Sequence, residues 1–162
     1  MSVSIHSGYL PGCIGRITEL HASYYHQLVG FGLPFELKVA RELAAFCERY
    51  DEQRDGLWLA RDAHGVQGSI AIDGLHARES GAHLRWFITA DVLRGTGMGN
   101  ALLSCAAEFC RVRGYEQVYL WTFEGLGAAR HLYEKFGFKL ALQQRGTQWG
   151  AEVNEQRFEL RL

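Results

Sequence analysis

The sequence predicts an α+β fold in which a mixed, mostly antiparallel sheet is layered between helices on both faces (α/β/α). Three observations predict it. Helical and β-type hydrophobic periods follow one another in the order α-α-β-β-β-α-β-α-β-β, with room for one more strand in front. That order holds a strand–helix–strand crossover inside a run of hairpins, which calls for parallel and antiparallel pairing in one sheet. A glycine-rich turn from Leu93 to Gly99 joins a strand directly to the crossover helix. The 162 residues, 48% hydrophobic and 22% charged, suit a single domain over 1–162 with one core. No linker, repeat or low-complexity segment divides it.

Ile14 to Gln27 reads as a start strand or loop running into a helix, because Ile17, Leu20, His21, Tyr24 and Tyr25 fall near helical spacing. Gly30-Phe31-Gly32-Leu33-Pro34 breaks the chain. Phe35 to Tyr50 is a second helix, with Val39, Leu43, Phe46, Cys47 and Tyr50 three or four residues apart, and the polar run Asp51 to Asp55 ends it. Leu57–Ala60 and Val66–Asp73 are strands joined through Asp62-Ala63-His64-Gly65 as a hairpin. Gly74 to Gly81 is a polar connection. Ala82 to Ala90 is a strand whose alternation puts Leu84, Trp86 and Ile88 on one face and His83, Arg85, Phe87 and Thr89 on the other. The helix from about Gly99 to Arg113 carries Leu102, Cys105, Ala106, Phe109 and Val112 in one stripe, and Gly114 stops it. Gln117 to Thr122 is an apolar strand and Gly127 to Phe136 a helix ended by Gly137. Phe138–Gln143 and Gln156–Leu162 close the chain as an antiparallel pair. The alternation of the last strand would let it pair with a second copy at a sheet edge, a route to a homodimer.

The bulk numbers exclude several classes of function. A formal net charge of −1 provides no basic excess for nucleic acid. No apolar run approaches the roughly 20 residues that span a bilayer, so no membrane partner is expected. Met1 to Gly12 lacks the charged-then-apolar pattern of an export signal, and the expected location is the cytoplasm. Cys13, Cys47, Cys105 and Cys110 form no C-x-x-C pair and read as reduced, mostly buried thiols. The seven histidines show no metal-ligand spacing, and no metal is expected.

The segment Leu93-Arg94-Gly95-Thr96-Gly97-Met98-Gly99 carries the chemistry. Its glycines permit a tight turn and leave no Cβ between backbone N–H groups and an anion. The helix that follows adds its unpaired first-turn N–H groups and the positive end of its dipole, and Arg94 adds a fixed charge. Together they make a pyrophosphate cradle. A dinucleotide fingerprint needs G-x-G-x-x-G, whereas the spacing here is G-x-G-x-G and falls past mid-chain. A Walker A loop ends in Lys-Ser or Lys-Thr, whereas Gly99 is followed by Asn100 and Ala101.

Read as Arg-x-x-Gly-x-Gly through Arg94, Gly97 and Gly99, the segment resembles the acyl-CoA loop of the GNAT superfamily of N-acetyltransferases. A second stretch, Ala129-Arg130-His131-Leu132-Tyr133-Glu134-Lys135-Phe136-Gly137-Phe138, resembles that family's A-x-x-L-Y-x-K-x-G-F segment. The resemblance implies a sheet splayed at the cofactor and acetyl-CoA as co-substrate. It implies cofactor contacts from the backbone of Phe87, Ile88 and Thr89, from the loop Arg94, Gly95, Thr96, Gly97, Met98, Gly99 and Asn100, and from Ala128. Tyr133 is implied as the catalytic acid that protonates the departing thiolate; otherwise it caps a core face with its hydroxyl at the rim. Many members carry asparagine seven residues before this tyrosine, where this chain has Leu126.

Ile14 to Tyr25, Phe35-Glu36, Leu57-Trp58-Leu59-Ala60 and Leu120-Trp121-Thr122 are similar to the acetyltransferase module often fused to MarR-type regulators, here standing alone. The implied function is acetyl transfer to a primary amine of a small molecule or protein by direct attack. The alternative is a non-catalytic acyl-CoA-binding sensor. The base that would deprotonate the amine is open among His83, Glu36 and Glu19. Tyr24, Tyr25, Phe31, Phe35 and Trp149, with Glu19 and Glu36, are either the wall of an acceptor pocket or ordinary core.

Overall fold

A computed structural model describes residues 2–162; Met1, the first residue of the segment read for an export signal, lies outside the described residues. The chain runs β1 (Ser4–Ser7), α1 (Cys13–Val29), α2 (Leu33–Glu48), β2 (Gly56–Asp62), β3 (Gly65–Asp73), α3 (Ala77–Ser80), β4 (Ala82–Thr89), α4 (Met98–Val112), β5 (Gln117–Phe123), α5 (Gly127–Lys135), β6 (Lys139–Gly146) and β7 (Val153–Arg161). A 3₁₀ turn at Asp91–Leu93 links β4 to the glycine loop. The strands form one seven-stranded sheet in the order β1-β2-β3-β4-β5-β7-β6. Among the described residues only the β4–β5 pair is parallel, as the intervening helix α4 requires.

Both faces of the sheet are covered, so its central strands bury both sets of side chains. On β2, Leu57 and Leu59 join Cys13, Ile17, Leu43 and Phe46 beneath α1 and α2. Trp58 and Ala60, alternating with them, join Leu102, Leu103, Ala106 and Phe158 beneath α4 and α5. This explains the unbroken apolar run Leu57–Ala60 of β2.

Four expectations change. The segment before Ile17 holds no strand: α1 begins at Cys13, and the additional strand is β1 at Ser4–Ser7. The polar connection Gly74–Gly81 contains the single turn α3. The final strand is not an edge, because β7 is paired with β5 on one side and β6 on the other. No second copy can add to it, and the dimer route read from its alternation is removed; β1 and β6 are the edges.

The fourth change is in β4, where strict alternation fails. Ser69 and Ala71, two apart on β3, face Ile88 and Arg85, three apart on β4. The extra residue is a β-bulge. Trp86 takes a positive φ of 48°, the only non-glycine to do so among the described residues. Leu84 stays with the α4 side of the core, but Trp86 turns to the α1/α2 side and meets Phe46 at 5.4 Å between ring centroids. Phe87 then packs on the opposite side. A left-handed backbone costs a bulky residue on the order of 1–3 kcal/mol. Offsetting contacts are the Phe46 ring, the Arg85 guanidinium 4.2 Å from the Trp86 ring centre, and a 2.6 Å hydrogen bond from Ser69 Oγ to the Trp86 carbonyl. Ser69→Ala should leave that carbonyl without its partner and lower unfolding free energy by roughly 1–2 kcal/mol in urea titration, without changing the m-value.

Candidate functional site

Strands β4 and β5 are paired only at Ala82–Val118 and His83–Tyr119, after which they part. The bulge bends β4 away, so from Leu84 onward its edge toward β5 is free of strand partners. Two cavities open along this gap.

The larger, about 380 Å³, runs from the free end of β4 across the glycine loop to the start of α5. Phe87, Ile88, Thr89, Arg94, Gly95, Gly97, Met98, Gly99 and Ala128 all line it. Thr96 and Asn100 do not: Thr96 Oγ1 donates inward to the Leu93 carbonyl at 2.5 Å, and Asn100 is exposed on the first turn of α4. Gly97 is the N-cap of α4 with φ 79°, a conformation that favours glycine. Neither α4 nor α5 has a side-chain bond from its N-cap or an acidic residue in its first turn; apart from the Met98 amide, which makes a long 3.4 Å bond to Thr96 Oγ1, their first N–H groups are left for this cavity. The Leu126 departure contributes to this, because Leu126 is the N-cap of α5 and has no side-chain acceptor. A Cβ at Gly99 would meet Leu132 Cδ2 at 3.5 Å, an ordinary contact, so the chain's own packing does not require glycine there. What the missing Cβ keeps open is the approach to the helix amides. Arg94 stands at the mouth, 79% exposed and paired with Asp91 at 2.8 Å.

The smaller cavity, about 140 Å³, lies between the diverging strands, α1, α2 and the loop before β7. Tyr25 and Phe87 line both cavities and mark where they meet. Tyr133 lines the smaller one, its ring 6.0 Å from Phe87. Burial raises the phenols of Tyr133 and Tyr25 well above the usual tyrosine range; Tyr25 adds to the effect on Tyr133 and Tyr24 to that on Tyr25. Both phenols are therefore fully protonated at neutral pH. Of the expected aromatic wall, Tyr25, Phe35 and Trp149 reach this cavity. Tyr24 faces the larger cavity, and Phe31 packs 5.0 Å behind Phe35 as core.

A family model described as "Acetyltransferase (GNAT) family" matches residues 16–138. The chain belongs to the GNAT acetyltransferase family. Its fold is similar to that of the Salmonella typhimurium protein yncA, solved with its cofactor acetyl-CoA (TM-score 0.77, 17% identity, covering 100% of this chain and 95% of that one). It is similar also to the ribosomal-protein-alanine N-acetyltransferase of Brucella melitensis (TM-score 0.76, 16% identity, covering 98% and 99%). An acetyltransferase from Streptococcus agalactiae matches over 99% and 98% at TM-score 0.75 and 19% identity. Comparison with curated proteins gives no match.

The base candidates named from the sequence fare differently in this GNAT domain. Glu19 and Glu36 are exposed and line neither cavity. Glu19 is instead paired with Arg16. His83 lines the smaller cavity, but it is not an exposed strand histidine: its ring stacks on Tyr119 at 4.5 Å. Burial, with Arg85 nearby, lowers its pKa to about 3.

Three further residues of this cavity were not singled out by sequence reasoning. Lys38 and Glu42 lie on α2 beside the buried Phe35 and Val39, and that spacing of i, i+3, i+4 and i+7 is the signal that could have found them. His21 is the third. Its Nδ1 donates to the Ile17 carbonyl at 2.8 Å, which leaves the lone pair on Nε2. Burial lowers its pKa to about 4.

Both histidines are held neutral, and the linkage has a definite sign. Between pH 6.5 and about 4 the unfolded chain binds protons that folded His21 and His83 refuse, so stability falls as pH falls through this window. His83→Phe keeps the stack on Tyr119 and removes one of the two groups. Its Tm should drop less steeply than the wild type's from pH 6.5 to 4 in calorimetry; parallel curves would remove His83 from the account.

Proposed function

We propose that this GNAT acetyltransferase transfers the acetyl group of acetyl-CoA to a primary amine by direct attack, with the larger cavity for the cofactor and the smaller for the acceptor. The observation that carries the reading is that the two cavities meet at Phe87 and Tyr25, in the gap between β4 and β5, with Tyr133 beside Phe87. The cradle also fits the group chemically: two uncapped helix starts and glycines without Cβ atoms suit a pyrophosphate. Acetyl-CoA supplies an acyl group activated as a thioester.

Arg94 and the amides of Gly95, Gly97, Met98 and Gly99 would hold the phosphates, with Ala128 on the facing helix; the Thr96 amide is spent on the Leu93 carbonyl at 3.1 Å, and Asn100 lies outside the cavity. The unpaired edge of β4 at Phe87, Ile88 and Thr89 offers N–H and C=O groups to the arm of the cofactor and to the acyl oxygen. Tyr133 holds its proton on Oη and would donate it to the sulfur as that atom gains charge. Burial of the amine in the smaller cavity favours its neutral, nucleophilic form. Among the described residues Glu42 is the single carboxylate lining that cavity, and it is bonded to Lys38 and Arg85. The reading therefore assigns no carboxylate base. Four free cysteines suit a reducing compartment, and the cytoplasm is the location that fits.

The test is thiol release from acetyl-CoA across a panel of amines. Release on no acceptor, with clear acetyl-CoA binding, would favour an acyl-CoA sensor. Two variants probe the assigned halves. Gly99→Asp puts a carboxylate on the second residue of α4, where it suits the helix dipole, so Tm should hold while acetyl-CoA affinity falls roughly 100-fold. Unchanged affinity in that variant would remove the cradle assignment. Tyr133→Phe should lower kcat roughly 100-fold and change acetyl-CoA affinity less than about threefold. Wild-type turnover would mean that another group or solvent supplies the proton.

A further inference from the structure

The acceptor cavity has a charge balance opposite to the one the aromatic and acidic segments of the sequence suggest. The carboxylates expected to receive an ammonium, Glu19 and Glu36, lie outside it. Its lining holds Lys38 and Arg85 against the single carboxylate Glu42, an excess of one positive charge. Asp73, behind Arg85 at 3.2 Å, does not cancel that excess, because it is also paired with Arg49 at 2.7 Å. His21 and His83 line the same cavity uncharged.

We infer that the acceptor is an amine carrying its own anionic group, an α-amino acid or a close analogue, bound with its carboxylate toward Lys38 and Arg85 and its amine toward Tyr133. This rests on the acetyl-transfer reading above and names the substrate class within it. Three features support the inference. Lys38 Nζ has three donors and spends one on Glu42 at 2.5 Å, so two remain for a ligand. Arg85 is clamped between Asp73 and Glu42 and laid on the Trp86 ring at 4.2 Å, which fixes its charge in place. The third is size. A cavity of about 150 Å³ holds one benzene ring, so 140 Å³ suits an acceptor of amino-acid size. A polyamine would bring further positive charge against Lys38 and Arg85.

The same charges serve the chemistry. A cationic wall disfavours ammonium and so favours the free amine, while the acceptor's own carboxylate balances the wall. The C–N bond forms as the thioester C–S bond breaks. The amine nitrogen loses one proton and the departing sulfur gains one, so the products are the N-acetyl amino acid and the CoA thiol, with no further reactant.

The experiment measures kcat/KM by thiol release for the twenty common amino acids, their amides, the matching decarboxylated amines, spermidine and a short peptide amide. The best amino acid should exceed its own amide and amine by roughly tenfold or more. Lys38→Gln should erase most of that ratio through KM and leave acetyl-CoA affinity within about twofold, since Lys38 does not line the larger cavity; Lys38→Arg should restore part of it. A preference for the amide, the decarboxylated amine, spermidine or the peptide overturns the inference while acetyl transfer stands. So does a ratio untouched by Lys38→Gln. No release on any amine overturns acetyl transfer itself, and the acceptor class falls with it.

Discussion

The bulge in β4 is the constraint on which the rest of the structure depends. An ordinary strand would continue its pairing with β5 and bury its N–H and C=O groups in the ladder. One extra residue, with Trp86 held at positive φ, puts the successive side chains Arg85 and Trp86 on the same face and bends the strand. The sheet then loses the continuation of its parallel pair and gains a gap between β4 and β5. Ring contacts on both sides hold the distortion: Trp86 against Phe46, and Phe87 against Tyr133. The hydrophobic core therefore maintains a polar opening in the middle of the sheet.

That opening separates two electrostatic environments. At one end, α4 and α5 direct uncapped N-termini into the larger cavity, where fixed dipoles and the Arg94 charge favour an anion without a buried cation. At the other end, the smaller cavity combines aromatic rings with the ionised groups Lys38, Glu42 and Arg85. Asp73 anchors these groups. Paired with Arg49 and Arg85, it has its carboxyl held below the usual range against the opposing cost of burial, and it keeps Arg85 turned toward the cavity. Phe87 and Tyr25 are the seam between the two environments.

The glycine loop was legible from the chain because its chemistry is local. Gly97 needs a positive φ, Gly99 leaves a helix amide uncovered, and both facts follow from residue type and spacing. Tyr133 was singled out through a ten-residue motif that covers α5 and the turn after it. The lining of the smaller cavity was not legible. Glu36 sits one residue from buried Phe35 and faces outward, whereas Lys38 and Glu42, three and seven residues on from Phe35, face the cavity. His83 was readable as a candidate base but not as a ring stacked on Tyr119, because that stack belongs to a parallel strand pair only two residues long.

Residue order alone determined the fold class, the order of the main elements, the strand–helix–strand run around α4 and the glycine turn before it, because these depend on periods of two and 3.6 and on glycine's backbone freedom. Tertiary structure decided which face Trp86 and Phe87 turn to, that β7 lies inside the sheet and not at its edge, and which charges line the smaller cavity. Each of these depends on contacts between segments far apart in the chain, such as Ser69 with Trp86, β7 with β5, and Glu42 with Arg85. Sequence periodicity specifies which side of its own element a residue occupies. Only packing specifies what lies opposite it, and at this site what lies opposite sets the charge.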